Sequence, residues 1–352
     1  DGAQIISGQV SIDTATPGVT VVTNSPNAII NWQNFSIAQN ELTRFIQQNG
    51  QSAVLNRIIG QNPSEILGQL TSNGKVFLIN PNGIVFGAGS TVDTQGLVAS
   101  SLNLSDQDFL SGNYHFMAGS SAGNILNEGI IRAGKDGNII LIAPTIENNG
   151  IIKSEGGAIT LAAGQELTIT NLDTPEIRFQ IQAPADSVLN LGKLLTEGGA
   201  INVFAGTIKH SGEINADSVQ VDQQGHIQLV AQQEITLDAS STISANNSQG
   251  DAGAIHIDSN TGTTLAQGSI EARATQIGKG GNIELLGERV GVLDQARLDA
   301  GGENGGGQVL IGGDYQGKNP NVHNAKATYI GRGTTIKADA KTHGDGGKVI
   351  AW

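Results

Sequence analysis

Gly137-Asn138-Ile139-Ile140-Leu141 and Gly157-Ala158-Ile159-Thr160-Leu161 are two copies of one pattern: glycine, a spacer, then apolar residues at alternate positions. The pattern returns at Gly199-Ala200-Ile201-Asn202-Val203 and Gly225-His226-Ile227-Gln228-Leu229, and further copies open at Gly253, Gly281, Gly307 and Gly347. Successive glycines stand 20, 42, 26, 28, 28, 26 and 40 residues apart, and the two long gaps read as two coils or as one coil with an insertion. A second pattern precedes each copy: an apolar residue, a spacer and a small residue, as in Ile131/Ala133, Ile214/Ala216, Ile243/Ala245 and Ile270/Ala272. Each unit therefore holds two short strands separated by a glycine-rich turn.

Period-two alternation sends Ile159, Leu161 and Ala163 to one face of a strand and Ala158, Thr160 and Ala162 to the other. A single strand of this kind cannot bury its apolar face alone. Stacking successive units at about 4.8 Å joins those faces into a continuous column. The expected fold is all-β: a right-handed parallel β-helix, with an N-terminal β cap and a hairpin insertion outside the helix. A leucine-rich repeat would need leucines at fixed positions and an asparagine ladder, and a helical repeat a 3.6-residue period. A β-propeller fits less well, because its blades run to roughly 40 residues or more.

Two regions depart from the rhythm. From Gln165 to Gly198 both patterns vanish, and Glu166–Thr170, Asp173-Thr174-Pro175 and Ile177–Gln182 read as a hairpin standing off the helix. Residues 1–115 do not repeat, yet Trp32, Phe35, Phe45, Phe77 and Phe86 are among the six of the ten Phe and Trp residues that they hold. That suits a cap with the first coils, since the open end of a solenoid must be covered. The expected organisation is residues 1–115 as cap and first coils, then 116–352 as coils with the insertion near 165–198. The sequence opens on Asp1-Gly2-Ala3-Gln4, which reads as a processed N-terminus, and Lys348–Trp352 halts within a strand pattern, which reads as one part of a longer protein.

Composition narrows function. The net charge is −13 with 19 Lys and Arg, and no basic run is present, so nucleic acid is not an expected partner. The 49 glycines suit tight turns, and regular apolar alternation argues against disorder. There is no cysteine, so nothing obstructs passage of an unfolded chain through a narrow pore. The six histidines are scattered without metal-ligand spacing, and Gly301-Gly302-Glu303-Asn304-Gly305 lacks the aspartate and the tandem copies of a calcium-binding roll. No metal, cofactor or catalytic residue is expected. Many β-helices cleave polysaccharides with converging carboxylates. Here Glu155, Glu197, Asp217, Asp258 and Glu284 stand alone in the sequence. A secreted polysaccharide-degrading enzyme and a carbohydrate-binding module are the alternatives to a non-enzymatic reading.

One turn stands out. Asn80-Pro81-Asn82-Gly83-Ile84 follows the strand-like run Lys75–Ile79, and proline second with glycine fourth favours a type I turn. Asn319-Pro320-Asn321 repeats the tripeptide elsewhere, so the tripeptide alone is not specific.

The block from Ile30 to Leu104 resembles the two-partner secretion domain of filamentous haemagglutinin-type exoproteins. The resemblance rests on Ile30-Asn31-Trp32-Gln33-Asn34-Phe35-Ser36-Ile37, Ala53–Ile58, Asn73–Ile84 and Asp93–Ser100. Gly312–Gly317 and Gly346–Trp352 are similar to the segment that follows in high-molecular-weight adhesins. The resemblance implies a secreted or surface-exposed product of a Gram-negative bacterium that crosses the periplasm and the outer membrane. It implies recognition by a dedicated outer-membrane barrel transporter with periplasmic polypeptide-transport-associated domains. The chain would be the secretion-targeting, fold-nucleating part of an adhesin or haemagglutinin, with receptors on host or neighbouring cells met by the downstream region. The family's secretion elements fall on Asn80, Pro81, Asn82, Gly83 and Ile84, and on a second element at Asn62 and Pro63, where Ser64 and Glu65 depart from the family pattern.

Overall fold

The computed structural model describes residues 1–170, 177–180, 186–293 and 295–352. The chain divides into two compact units, Asp1–Asp186 and Ser187–Trp352. Both are β-helical: parallel strands from successive coils pair rung on rung.

Three faces make up each coil of the first unit. One face stacks Val19–Asn24, Leu42–Gln47, Gln69–Ser72, Thr91–Thr94, Ile130–Lys135 and Ile151–Glu155, all parallel. A second stacks Ala28–Trp32, Ala53–Ile58, Lys75–Ile79, Gly96–Ser100, Ile139–Ala143 and Ile159–Ala163. The third, of shorter strands, stacks Ser64–Ile66, Ile84–Phe86, Ile125–Asn127 and Thr145–Asn148. Antiparallel strands start the unit: Gln4–Ser7 pairs with Ala28–Trp32, and Val10–Asp13 with Val19–Asn24. Coils thus begin at Val19, although the glycine pattern of the later repeats does not reach that far forward. There an aromatic core takes over: Trp32 meets Phe35 edge-on at 5.4 Å, and Phe35 stacks on Phe45 at 6.4 Å.

Two excursions leave the second face of this unit. The first runs through Asn103–Leu104, a short helix Asp106–Ser111 and strand Tyr114–Met117. The helix starts at Ser105, whose hydroxyl accepts from the Asp108 N–H, and stops at Gly112 in a left-handed conformation. The second contributes Glu166–Ile169 and Ile177–Gln180, which pair antiparallel. Together they form one four-stranded antiparallel sheet. The turn expected at Asp173-Thr174-Pro175 lies outside the described residues. This sheet and helix cover the outer side of the second face. Phe109, Phe116, Leu167 and Ile169 pack with Phe77, Leu55, Val98 and Ile140 in one core cluster. Strands such as Ile139–Ala143 are therefore buried on both sides, which explains their unbroken apolar sequence.

In the second unit, Ala200–His210, His226–Leu237, Ala254–Ala266 and Asn282–Val292 run parallel across two faces, with register shifts where each bends. Glu213–Asn215, Thr242–Ser244, Ser269–Glu271, Arg297–Asp299 and Thr335–Lys337 form the remaining face. Ile201, Ile227, Ile255, Ile283 and Val309 stand in register and are buried. So do Ile214, Ile243, Ile270 and Leu298. Each such side chain contributes about 1.5–3 kcal/mol by leaving water.

The expected insertion near 165–198 extends too far. Ser187–Asn190 pairs in parallel with Ala200–His210, and Lys193–Thr196 with Glu213–Asn215, so residues 187–196 already belong to a coil. Val188 and Leu194 fill the core positions there.

Candidate functional site

The Asn80–Gly83 turn is a corner of the first unit, joining Lys75–Ile79 to Ile84–Phe86. Its backbone closes through the Gly83 N–H, which donates to the Asn80 carbonyl at 3.0 Å. Gly83 has φ +105°, and an added Cβ would lie 2.8 Å from the Asn124 carbonyl oxygen, so only glycine fits here. Ile84 re-enters the core fully buried, between Ser64 and Ile125 on the neighbouring rungs.

Asn80 itself is fully buried. Its Oδ1 accepts from the Asn82 N–H at 2.9 Å, which sets the turn. Its Nδ2 donates to the Asn62 carbonyl and to the Ser64 hydroxyl, both at 3.0 Å. The two elements singled out in the sequence, 62–63 and 80–84, are thus stacked corners of adjacent coils. Ser64 departs from the family pattern, yet it is a buried partner of Asn80.

What faces solvent is different. Asn82, Asn62 and Pro63 are exposed, and Pro81 is half-buried with its carbonyl accepting from Gly123 N–H at 2.8 Å. Asn82 Nδ2 donates to the Gly60 carbonyl at 2.9 Å, and Asn62 Nδ2 donates to Asn34 Oδ1 at 3.0 Å. Gly60 permits this stack, since a Cβ there would overlap the Gln33 carbonyl. The exposed surface carries an amide ladder, Asn34, Asn62 and Asn82, across three coils, with the Asp1 ammonium donating to the Asn34 carbonyl at 2.7 Å. The sequence alone does not mark Asn34 as a site residue. Its signal is its place in the matched segment Ile30–Ile37, where Trp32 also has a cross-coil role: its indole N–H donates to Asn56 Oδ1 at 3.0 Å.

The second Asn-Pro-Asn is locally alike. The Asn321 N–H donates to Asn319 Oδ1 at 3.1 Å, but Asn319 Nδ2 turns to Asp314 at 3.0 Å, within its own loop. Asp314 is held at a pKa of about 2, mainly by the hydrogen bond from Lys348, then by Asn319 and the Tyr315 N–H.

Three of the five carboxylates weighed as catalytic are engaged elsewhere. Asp217 accepts from the Asn246 N–H at 2.6 Å, Asp258 pairs with His323 at 2.8 Å, and Glu284 with His256 at 2.7 Å. Among the described residues no group of three or more His, Asp or Glu side chains is placed to share a metal ion, and no helix is long and apolar enough to cross a membrane.

A family model described as the TPS secretion domain matches residues 1–303. The chain belongs to the two-partner secretion domain family. The fold of this secretion domain is similar to the crystal structure of the HMW1 secretion domain from Haemophilus influenzae: TM-score 0.77 and 36% identity, covering 97% of this chain and 84% of that one. Two relatives named heme/hemopexin-binding protein, both from Haemophilus influenzae, are 32% identical over 181 residues and 36% identical over 126. Those matches cover 49% and 36% of this chain but only 20% and 14% of the relatives, so the chain spans a small part of their length. The family is one of secretion domains of adhesin-like exoproteins, not an enzyme family, and implies a cognate outer-membrane transporter.

Proposed function

We propose that this secretion domain directs a longer surface-exposed or secreted adhesin-type protein across the outer membrane of a Gram-negative bacterium, and that the amide ladder at Asn34, Asn62 and Asn82 is what the transporter reads. The periplasmic polypeptide-transport-associated domains of that transporter are the direct partner. Asn80, with Pro81 and Gly83, holds the ladder in shape from beneath. The observation that carries this reading is the pair of bonds from buried Asn80 to Asn62 and Ser64, which fuse the two family elements into one surface. Receptors on host or neighbouring cells are the task of the region downstream.

The fold suits export without ATP. Contacts run mainly between neighbouring coils, so each coil forms as it emerges and templates the next. Folding outside then biases movement outward. The test separates reading from folding. Asn82→Ala and Asn62→Ala should strand the protein in the periplasm while each purified domain melts within a few degrees of wild type. Wild-type amounts of both variants in the culture supernatant would remove the ladder as a recognition element.

A further inference from the structure

Five asparagines in this chain precede glycine: Asn49, Asn73, Asn82, Asn149 and Asn304. Such pairs are chemically labile, because no Cβ shields the glycine nitrogen from the asparagine side-chain carbonyl. Folding decides which pairs react by holding or freeing those two groups.

Four pairs are held. Asn73 Oδ1 accepts from the Gln47 N–H at 2.7 Å, its Nδ2 donates to the Gln47 carbonyl at 2.8 Å, and the Gly74 N–H donates to Ser72 Oγ at 3.0 Å. Asn82 is tied to Gly60, and the Gly83 N–H to Asn80. Asn149 Nδ2 donates to Glu147 at 2.8 Å, and the Gly150 N–H to the Asn127 carbonyl at 3.0 Å. Asn49 is held by its side chain alone: Oδ1 accepts from the N–H groups of Gln51 and Ser52 at 3.0 and 3.1 Å, while the Gly50 N–H has no partner among the described residues. Asn304 differs. Asn304 is exposed and its side-chain amide has no hydrogen-bond partner among the described residues; Gly305 is buried, but its N–H donates to no group among them.

We propose that Asn304-Gly305 is a site of spontaneous deamidation in the folded secretion domain. The Gly305 nitrogen gives its proton to solvent base, and its electron pair attacks Cγ of Asn304. The new N–Cγ bond closes a five-membered imide, the Cγ–Nδ2 bond breaks, and Nδ2 leaves as ammonia. Water then opens the imide at either carbonyl and yields aspartate or isoaspartate, with no change of oxidation state. The product adds a negative charge near Lys279, whose Cγ lies 3.3 Å from where a Cβ on Gly305 would sit. Isoaspartate also lengthens the backbone in a turn whose Asn304 N–H donates to the Gly278 carbonyl at 2.9 Å.

The test incubates the 352-residue chain at mildly alkaline pH, folded and in parallel in concentrated urea, and maps peptides by mass spectrometry. In urea all five pairs should convert at comparable rates. In the folded chain Asn304 should keep its urea rate within about threefold, while the other four slow by roughly tenfold or more, since they react only through local opening. Asn304→Gln should abolish that product peptide and leave the melt and the other four rates unchanged. Slowing of Asn304 to the level of the other four on folding would overturn the proposal.

Discussion

The same kind of strand meets two different outer environments in this molecule. In the first unit, Ile139–Ala143 reads Ile-Ile-Leu-Ile-Ala and every residue is buried. In the second, the strand opening at His226 alternates between buried and accessible positions, with Gln228 outside and Ile227 and Leu229 inside. Excursions cover the outer side of the first, and Ile140 and Ile142 pack against them. On the second, His256 and Glu284 lie outside beside Gln228, in register with it. The strand pattern therefore reports what lies on the far side: alternation means one covered face, and an unbroken apolar run means two.

The largest effects should break or uphold that comparison directly. Ile227→Asp and Ile139→Asp each place a carboxylate in an inner column and should cost several kcal/mol, enough to remove the cooperative transition of the affected unit. Ile140→Asp should cost nearly as much, because the outer side is covered, whereas Gln228→Asp should stay within about 0.5 kcal/mol. Equal melts for Ile140→Asp and Gln228→Asp would show that the excursions do not seal the first unit.

Next in size is Asn80→Ala. It leaves the Asn62 carbonyl, the Ser64 hydroxyl and the Asn82 N–H without their partner, the Ser64 hydroxyl fully buried and the other two partly so, and should cost about 1–3 kcal/mol. That exceeds the loss expected if Asn80 merely set its own turn. Chemical denaturation of the purified domain measures it, and a loss no larger than that of Asn82→Ala would place the strut elsewhere.

How far the sequence reached follows the same physics. The glycine-x-apolar rhythm exposed the columns of the second unit, because there each corner needs glycine for close stacking: a Cβ on Gly253 would overlap the Gly225 carbonyl. It missed the first coils, where Trp32, Asn56 and the phenylalanines do the stacking. It extended the insertion over 187–196, where Val188 and Leu194 replace the usual isoleucine. The corner at 80–84 was legible as a turn. The burial of Asn80 was not, since its partners come from the neighbouring coil, 16 and 18 residues earlier. The first excursion, Asn103–Met117, left no repeat to find.

A smaller effect belongs to His210, buried in the second unit with its ring nitrogens near the carbonyls of Asn190 and Thr242. Burial lowers its pKa below the usual 6.5, only partly offset by those carbonyls and by Asp238. The unfolded chain then binds the proton more readily, so stability is complete above that value and falls as pH drops below it. Denaturation midpoints at neutral pH and at moderately acid pH should differ for wild type and much less for His210→Asn. An unchanged pH slope in the variant would assign the dependence to another group.

The smallest expected effect is the sharpest control on the recognition corner. Asn321 sits at the same place in its turn as Asn82 does, and both backbone N–H groups donate to the preceding Asn side chain. Only Asn82 extends its amide to another coil, at the Gly60 carbonyl. Asn82→Ala loses that bond and should cost about 1 kcal/mol. Asn321→Ala loses none and should fall within about 0.5 kcal/mol of wild type. If local turn chemistry were what the transporter reads, both substitutions would impair export. If the stacked amide ladder is read, Asn82→Ala stops export and Asn321→Ala does not. Comparing supernatant with periplasm for the two variants decides it, and a matching export defect in Asn321→Ala would refute the ladder, because neither Asn319 nor Asn321 makes a side-chain bond to another coil among the described residues.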